Sequence, residues 1–404
     1  MKCLIVLLSI SLTLPSRAAI IKDTVSTAEE LQQIFSKKVD SIIIYLRPGT
    51  YELTPKNFID SSCGNCEKSA ALIPVTYGLM LKGKYIRIIG LSNKRPEIIT
   101  NAGYGIFLNK CDYCEIRNLA ITGGTRDSSG KATSAAIVAK YSKGSIDNNR
   151  IHDNIGDSAI LASTIAGIMG ICVRDNSNLR IINNHIIRNS WDGIAVYRDS
   201  RSFITKNLID GVDKATGTTP GGGRGVGIGL TWNAEATIIN NLVKRYWKGI
   251  GVFVNAEGYI KNNIVEDVLT WGIAVWDAGM GSPYASIKSN VIYNTGACGI
   301  SISSKSVENP AGELSGNIIC ETAQNEKYDS PEYYCTQTAI AMDAVPKHFF
   351  IKENVLYNNR ELEQNEADPD FSDEEFKENI KTASLNFRYS LWWRHSEFLK
   401  KYLF

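Results

Sequence analysis

No block of lysine or arginine interrupts this sequence of 404 residues, and its 44 basic and 42 acidic side chains nearly cancel, to a net charge of +2. Nucleic-acid binding draws on a clustered basic surface, so nothing supports it here. Beyond residue 18 no apolar run reaches transmembrane length, which leaves no candidate for a membrane-spanning helix. Regularly spaced leucines are missing too. Short runs of Ile and Val in alternation stand in their place, which argues against a leucine-rich solenoid with its helical half. Histidine is rare, at 4 residues. His185 shares an outward column with Arg150 on another face, His348 and His395 fall in an irregular tail, and only His152, at the root of an insertion, could swing toward the site considered below.

What is present is one unit written repeatedly. Asn148, Asn183, Lys206, Asn240, Asn262, Ser289 and Gly316 occupy one slot, at steps of 22 to 35 residues. Periods in this range mean solenoids or arrays. Each slot is followed by an apolar pair, a polar turn and a Gly-Ile-x-Val strand. Gly193-Ile194-Ala195-Val196 recurs in strands opened by Gly227-Ile228, Gly249-Ile250, Gly272-Ile273 and Gly299-Ile300. Period-two alternation, β-branched residues and flanking Gly or Asn predict strands, three short ones to each turn of chain. Such a coil cannot bury its inner face alone, so coils stack strand on strand, about 4.8 Å apart, around one core. Asn in the slot tolerates left-handed backbone at a tight bend, and its amide can bond to the Asn of the next coil.

On this repeat, over residues 40 to 358, the chain resembles the pectin-lyase-like proteins. The resemblance implies an all-β fold, a right-handed parallel β-helix of about ten coils, and a carbohydrate-active protein. Residues 1 to 18, MKCLIVLLSISLTLPSRA, read as a secretory signal peptide, so the mature chain is expected outside the cytoplasm, secreted or periplasmic, as a monomer. Residues 19 to 360 form the solenoid and residues 361 to 404 a C-terminal capping segment. A helix over 26 to 38, with Ser26 or Thr27 as its cap, plugs the open end, where strand edges and core would otherwise meet water. In the last segment, Trp392, Trp393 and Phe398 are suited to cover an outward apolar column of Leu208, Leu242, Ile264, Val291, Ile318 and Val355; the alternative is a helix for a membrane surface or a partner. With Cys3 in the signal, an even number of cysteines remains, and in an exported chain these favour disulfides, Cys320 with Cys335 foremost. Cys63, Cys66, Cys111 and Cys114 are spaced for staples or for a four-thiolate zinc site.

In Gly-Ile-x-Val the Ile and Val point inward, so the residues between them form rows on the outside. One outward row reads Arg174, Tyr197, Thr231, Phe253, Trp276, Ser303, and the position after it Asp175, Arg198, Trp232, Val254, Asp277, Ser304. Insertions at 153 to 169 and 210 to 224 leave the same corner on either side of the central coil and should wall a cleft there. Sugar rings stack on exposed aromatics, and Arg or Asp beside them bind carboxylates and hydroxyls. Arg198, Tyr197, Arg174 and Arg224 are therefore candidate catalytic groups. Trp191, Asp192, Asp199, Trp232, Phe253, Trp276 and Asp277 are candidate substrate-binding groups, and Asp175 with Asp199 a candidate calcium pair. Arg198, at the end of the central strand, should matter for function and little for folding.

A lyase of a uronate polymer neutralises the sugar carboxylate and removes the adjacent proton with a base. A glycoside hydrolase instead needs two carboxylates across the bond, for which Asp175, Asp192, Asp199 and Asp277 would serve. Basic groups and a Tyr converging on the central coil favour a polysaccharide lyase acting on an acidic, uronate-containing polysaccharide. The other readings are a non-catalytic carbohydrate-binding scaffold and a hydrolase. Residues 170 to 177 stand where mannuronan epimerases carry Asp-Pro-His-Asp/Glu, and Cys172, Val173 and Arg174 replace the first three, against that activity. The Asn-Thr-Asp and Gly-His-Gly signatures of polygalacturonases are missing as well.

Overall fold

Three parallel sheets carry the chain. The computed structural model describes residues 20–91, 93–157, 166–211, 225–303, 312–326, 337–344, 350–360, 371–387 and 392–403. The first sheet has 12 strands, from Ile21–Val25 to Phe350–Lys352; the second has 11, from Thr50–Glu52 to Val355–Tyr357; the third has 11, from Lys56–Ser62 to Thr338–Ala344. Each coil visits the three in turn, as in Asn178–Ile182, His185–Ile187 and Ile194–Tyr197. The result is the β-helix that the repeat predicts. Ile171, Ile194, Ile228, Ile250, Ile273 and Ile300 fall in register and are fully buried. Each such side chain contributes roughly 1.5 to 3 kcal/mol of burial, so the core grows by stacking and needs no second domain.

The slot residues adopt the left-handed backbone expected of them, with φ of +54° at Asn148, +56° at Asn183, +57° at Lys206 and +53° at Ser289. The ladder of amides runs one residue later. Asn149, Asn184, Asn207, Asn241, Asn263, Asn290 and Asn317 each pass a hydrogen bond from Nδ2 to Oδ1 of the next, ending at Asn354, at 2.9 to 3.1 Å. The same Oδ1 accepts the backbone N–H of the coil before it. Asn241→Ala would leave the Asn207 N–H and amide without their acceptor in a buried place, and should cost about 3 kcal/mol by urea unfolding. A loss below about 0.5 kcal/mol, the surface range, would show the ladder to be ornamental.

Helix α1 (Ala28–Ser36) closes one end, capped by Thr27 in a reciprocal box with Glu30, and drives Leu31 into the core. Helices α2 (Asp373–Phe387) and α3 (Glu397–Leu403) lie along the outside of the second sheet. Phe376, Ile380, Phe398 and Leu399 are buried there against Leu208, Leu242, Ile264, Val291, Ile318 and Val355, with Trp392 and Trp393 packed at the margin. Glu266 holds this cap in place. Its carboxylate accepts from the Ser396 hydroxyl and from the N–H groups of Glu397 and Phe398 at the start of α3.

Cys63–Cys66 and Cys111–Cys114 are disulfides, which leaves no thiolates for the four-cysteine zinc site. Cys320 is a buried free thiol; its expected partner Cys335 lies outside the described residues, as do the signal segment, Arg224 and most of both insertions. Among the described residues no helix is long and apolar enough to cross a membrane.

Candidate active site

The face carrying the Gly-Ile strands is not open along its whole length. Lys56–Ser62 and Ala70–Leu81 pair antiparallel, the one such pairing among the described residues, and this hairpin folds over the outside of the third sheet. Cys63, Ile73 and Val75 from the hairpin pack on Tyr104, Phe107, Val138, Cys172 and Tyr197, making a second core outside the solenoid. Its tip must come close: a Cβ on Gly64 would sit 2.7 Å from Arg174 Cδ.

The hairpin decides the fate of several candidate groups. Arg174, expected to face solvent, is fully buried. Its Nη1 donates to Asp175 Oδ2 at 2.9 Å and to the Ser62 carbonyl at 3.0 Å, and its Nη2 to the Tyr104 hydroxyl at 3.0 Å and to Asp60. Lys140 completes the cluster as a second cation on Asp60. Burial alone would raise Asp60, but Arg174 and Lys140 hold its carboxyl below the usual range. Arg174 thus belongs to an ion network that docks the hairpin. Asp175, with Arg174 and the Ser62 hydroxyl on one oxygen at 2.9 and 2.8 Å, is already neutralised and does not fit a calcium ligand. Asp199 is exposed and accepts from Asn233. No group of three or more metal-ligating side chains exists among the described residues.

Arg198 is half-buried rather than clear of the fold. Its Nε donates to the Cys63 carbonyl at 2.8 Å and its guanidinium lies 5.3 Å from the Trp232 ring, while Trp232 Nε1 reaches Asn65 at 3.2 Å. Both residues clasp the hairpin tip. Asp277 is buried and accepts from the N–H of Gly279. His152 is on the second sheet, bonded to Asp153, away from this face.

Past the hairpin, the outer surface of the third sheet changes character. Val226, Lys248, Trp271 and Cys298 are in register at the first outward position, and Tyr197, Thr231 at the last, followed by Phe253 and Trp276. Between them run Ala195, Gly229, Gly251 and Ala274, a floor of small residues. The Phe253 ring lies over Gly251, where a Cβ would meet it at 2.3 Å. Lys248 sits among three indoles: its Nζ is 4.1 Å from the Trp247 ring, 5.0 Å from Trp271 and 5.3 Å from Trp276. Burial pushes its ammonium down to about 8, against the pull of Asp192. Asp192 itself, buried, is pushed up to about 6, and its carboxylate accepts from Val226 N–H at 2.6 Å and from the Tyr197 hydroxyl at 3.2 Å. Burial drives the Tyr197 phenol well above its ordinary range, so it serves as a donor to Asp192 and not as a base.

Of the sequence candidates, Tyr197, Asp192, Phe253 and Trp276 thus share the face that Lys248 occupies. Trp191 is half-buried against the hairpin core. Lys248, Trp247 and Trp271 were not among the candidates; the signal available was the place of Lys248 and Trp271 in the first outward row with Trp247 just before it, where a Lys flanked by Trp has no structural reason to stand. A lysine with lowered affinity for its proton, walled by aromatic faces, can take a proton from a bound sugar and hold its ring.

A three-sheet parallel solenoid with such a walled lysine on an outer face is a repeat protein with a surface site, and the comparisons place it. The chain matches the model of the right handed beta helix region over residues 76–216 and 169–326, and it belongs to that family. Among solved structures it is similar to the pectate lyase Pel9A, at 11% identity over 83% of this chain and 80% of that one, with a TM-score of 0.50. An alginate lyase from Paenibacillus sp. str. FPU-7 aligns at 14% identity over 82% and 99%, TM-score 0.43. The mannuronan C-5 epimerase AlgE4 A-module of Azotobacter vinelandii aligns at 12% identity over 83% and 88%, TM-score 0.45. At these identities the likeness is one of fold. No curated protein sequence matches the chain.

Proposed function

We propose that this is an exported carbohydrate-active protein, a lyase that cleaves an acidic, uronate-containing polysaccharide by β-elimination, with Lys248 as the base. The observation that carries the reading is the Lys248 ammonium, lowered to about 8 on an outward face between three tryptophans. Unprotonated Lys248 takes the proton on the ring carbon next to the sugar carboxylate. Those electrons form the new carbon–carbon double bond, the glycosidic carbon–oxygen bond breaks, and the departing oxygen takes a proton from water. Asp192, ionised above about 6, stabilises the ammonium so formed and, through Tyr197 and Val226, fixes the strand that faces it. Trp247, Trp276 and Phe253 supply the stacking surfaces. That a pectate lyase shares the fold makes pectate the first polymer to try.

The test is incubation with a panel of uronate polymers, followed both by ultraviolet absorbance of the unsaturated product and by a reducing-end assay. The reading requires absorbance together with new ends. New ends alone would mean hydrolysis, and neither would leave a non-catalytic binding scaffold.

A further inference from the structure

Charge is nearly balanced over the whole chain, at +2, yet one concavity holds a surplus of four positive charges. It lies between the C-terminal end of α1 and the turns that follow the first strands of the third sheet, with a volume of about 580 Å³, and Lys37, Lys38, Lys56, Lys82, Lys84 and Lys110 line it against Asp40 and Asp112 only. All six lysines are exposed. Lys84 pairs with Asp40 at 3.0 Å, whereas the other five have no acidic group within 4.0 Å among the described residues. A neighbouring cavity of about 550 Å³ shares Lys82 and Lys110 and extends past Phe58 to Asn109 and the exposed ring of Tyr141. Lys110 and Tyr141 occupy the same turn column as Arg198 and Trp232, so the two cavities follow the solenoid axis along the strand ends opposite the row that holds Lys248.

We infer that this lysine cleft is a second binding site, for a stretch of a linear polyanionic polysaccharide. Unpaired like charges repel one another in a concave place, and an anionic chain relieves that repulsion while the low-dielectric walls focus the field on it. The groove is elongated along the axis, which suits a chain better than a single small anion. The cleft holds the polymer and performs no chemistry. It shares the acidic-polysaccharide reading above but does not depend on elimination at Lys248.

The test uses the full chain carrying Lys248→Ala, so that the probe stays intact, and titrates a galacturonate oligomer, its monomer, its fully methyl-esterified form and a short single-stranded DNA by calorimetry. The oligomer should bind, more weakly as salt rises, and Lys82→Gln/Lys110→Gln should weaken it about tenfold or more without changing the melting temperature. Unchanged affinity in the double variant overturns the inference, as does equal binding of the methyl ester, which carries no charge. Monomer binding as tight as the oligomer's would make the cleft a small-anion site, and preference for DNA would make the partner nucleic acid; either result overturns it too. Because no turnover is read, failure of the elimination reading leaves this outcome intact.

Discussion

Arg174→Ala should destabilise the protein by about 3 to 5 kcal/mol, because it removes one partner of a fully desolvated ion network and leaves the others charged. Arg174 is completely buried and gives hydrogen bonds to Asp60, Asp175, Ser62 and Tyr104. Without it, Asp60 keeps only Lys140, the Tyr104 hydroxyl and the Ser62 N–H, and the hairpin of Lys56–Ser62 and Ala70–Leu81 loses its main attachment. Chemical unfolding gives the size of the loss, and amide exchange in residues 56–81 gives its place, since the hairpin should open before the solenoid does. The sign of the pH effect follows from Asp60. Its folded value lies below the ordinary 3.8, so its stabilisation is present above about that pH and disappears as pH falls through the folded value. Arg174→Ala should lose this acid-sensitive part. A variant that melts like the parent, with an unchanged hairpin, would return Arg174 to the list of catalytic candidates.

Lys248→Ala should leave folding nearly intact and reduce turnover of a uronate polymer by a factor of roughly a hundred or more, the range for loss of a general base. Among the described residues nothing bonds Nζ except the indole faces and the more distant Asp192, so the stability at stake is that of partly exposed cation–π contacts, about 0.5 to 2 kcal/mol. Lys248→Arg discriminates between two roles. A guanidinium keeps the cation–π contacts and the attraction for a carboxylate, but it does not release its proton near neutral pH. If Lys248 is the base, Arg fails almost as badly as Ala while retaining affinity; if Lys248 only attracts the substrate, Arg restores most of the rate.

How much of this could be read beforehand differs from element to element. The Gly-Ile strands, the left-handed slots and the apolar column under α2 and α3 were legible because each recurs coil after coil, so position in the repeat tells which way a side chain points. Residues 56–81 occur once. Their Cys63-Gly64-Asn65-Cys66 turn between two alternating runs is a hairpin signal in principle, but nothing in the sequence says that the hairpin folds back over the third sheet. That fold-back is why Arg174, Asp175 and part of Arg198 are withdrawn from solvent: outward in the repeat is not the same as exposed in the molecule. Lys248 was missed for a related reason. The aromatic pattern is plainest in the last outward row, whereas Lys248 and Trp271 stand in the first, and only the strand register shows that the two rows face each other across Gly229, Gly251 and Ala274.

The measurement that bears most directly on Lys248 as the base is the pH dependence of turnover on whichever uronate polymer the protein cleaves. With Lys248 at about 8 and Asp192 at about 6, the rate should be low at pH 6, rise about tenfold per unit while Lys248 is mostly protonated, and level off above pH 8 to 9. A rate that peaks near pH 5 and falls through neutrality, as an acid-assisted hydrolysis would, contradicts the assignment.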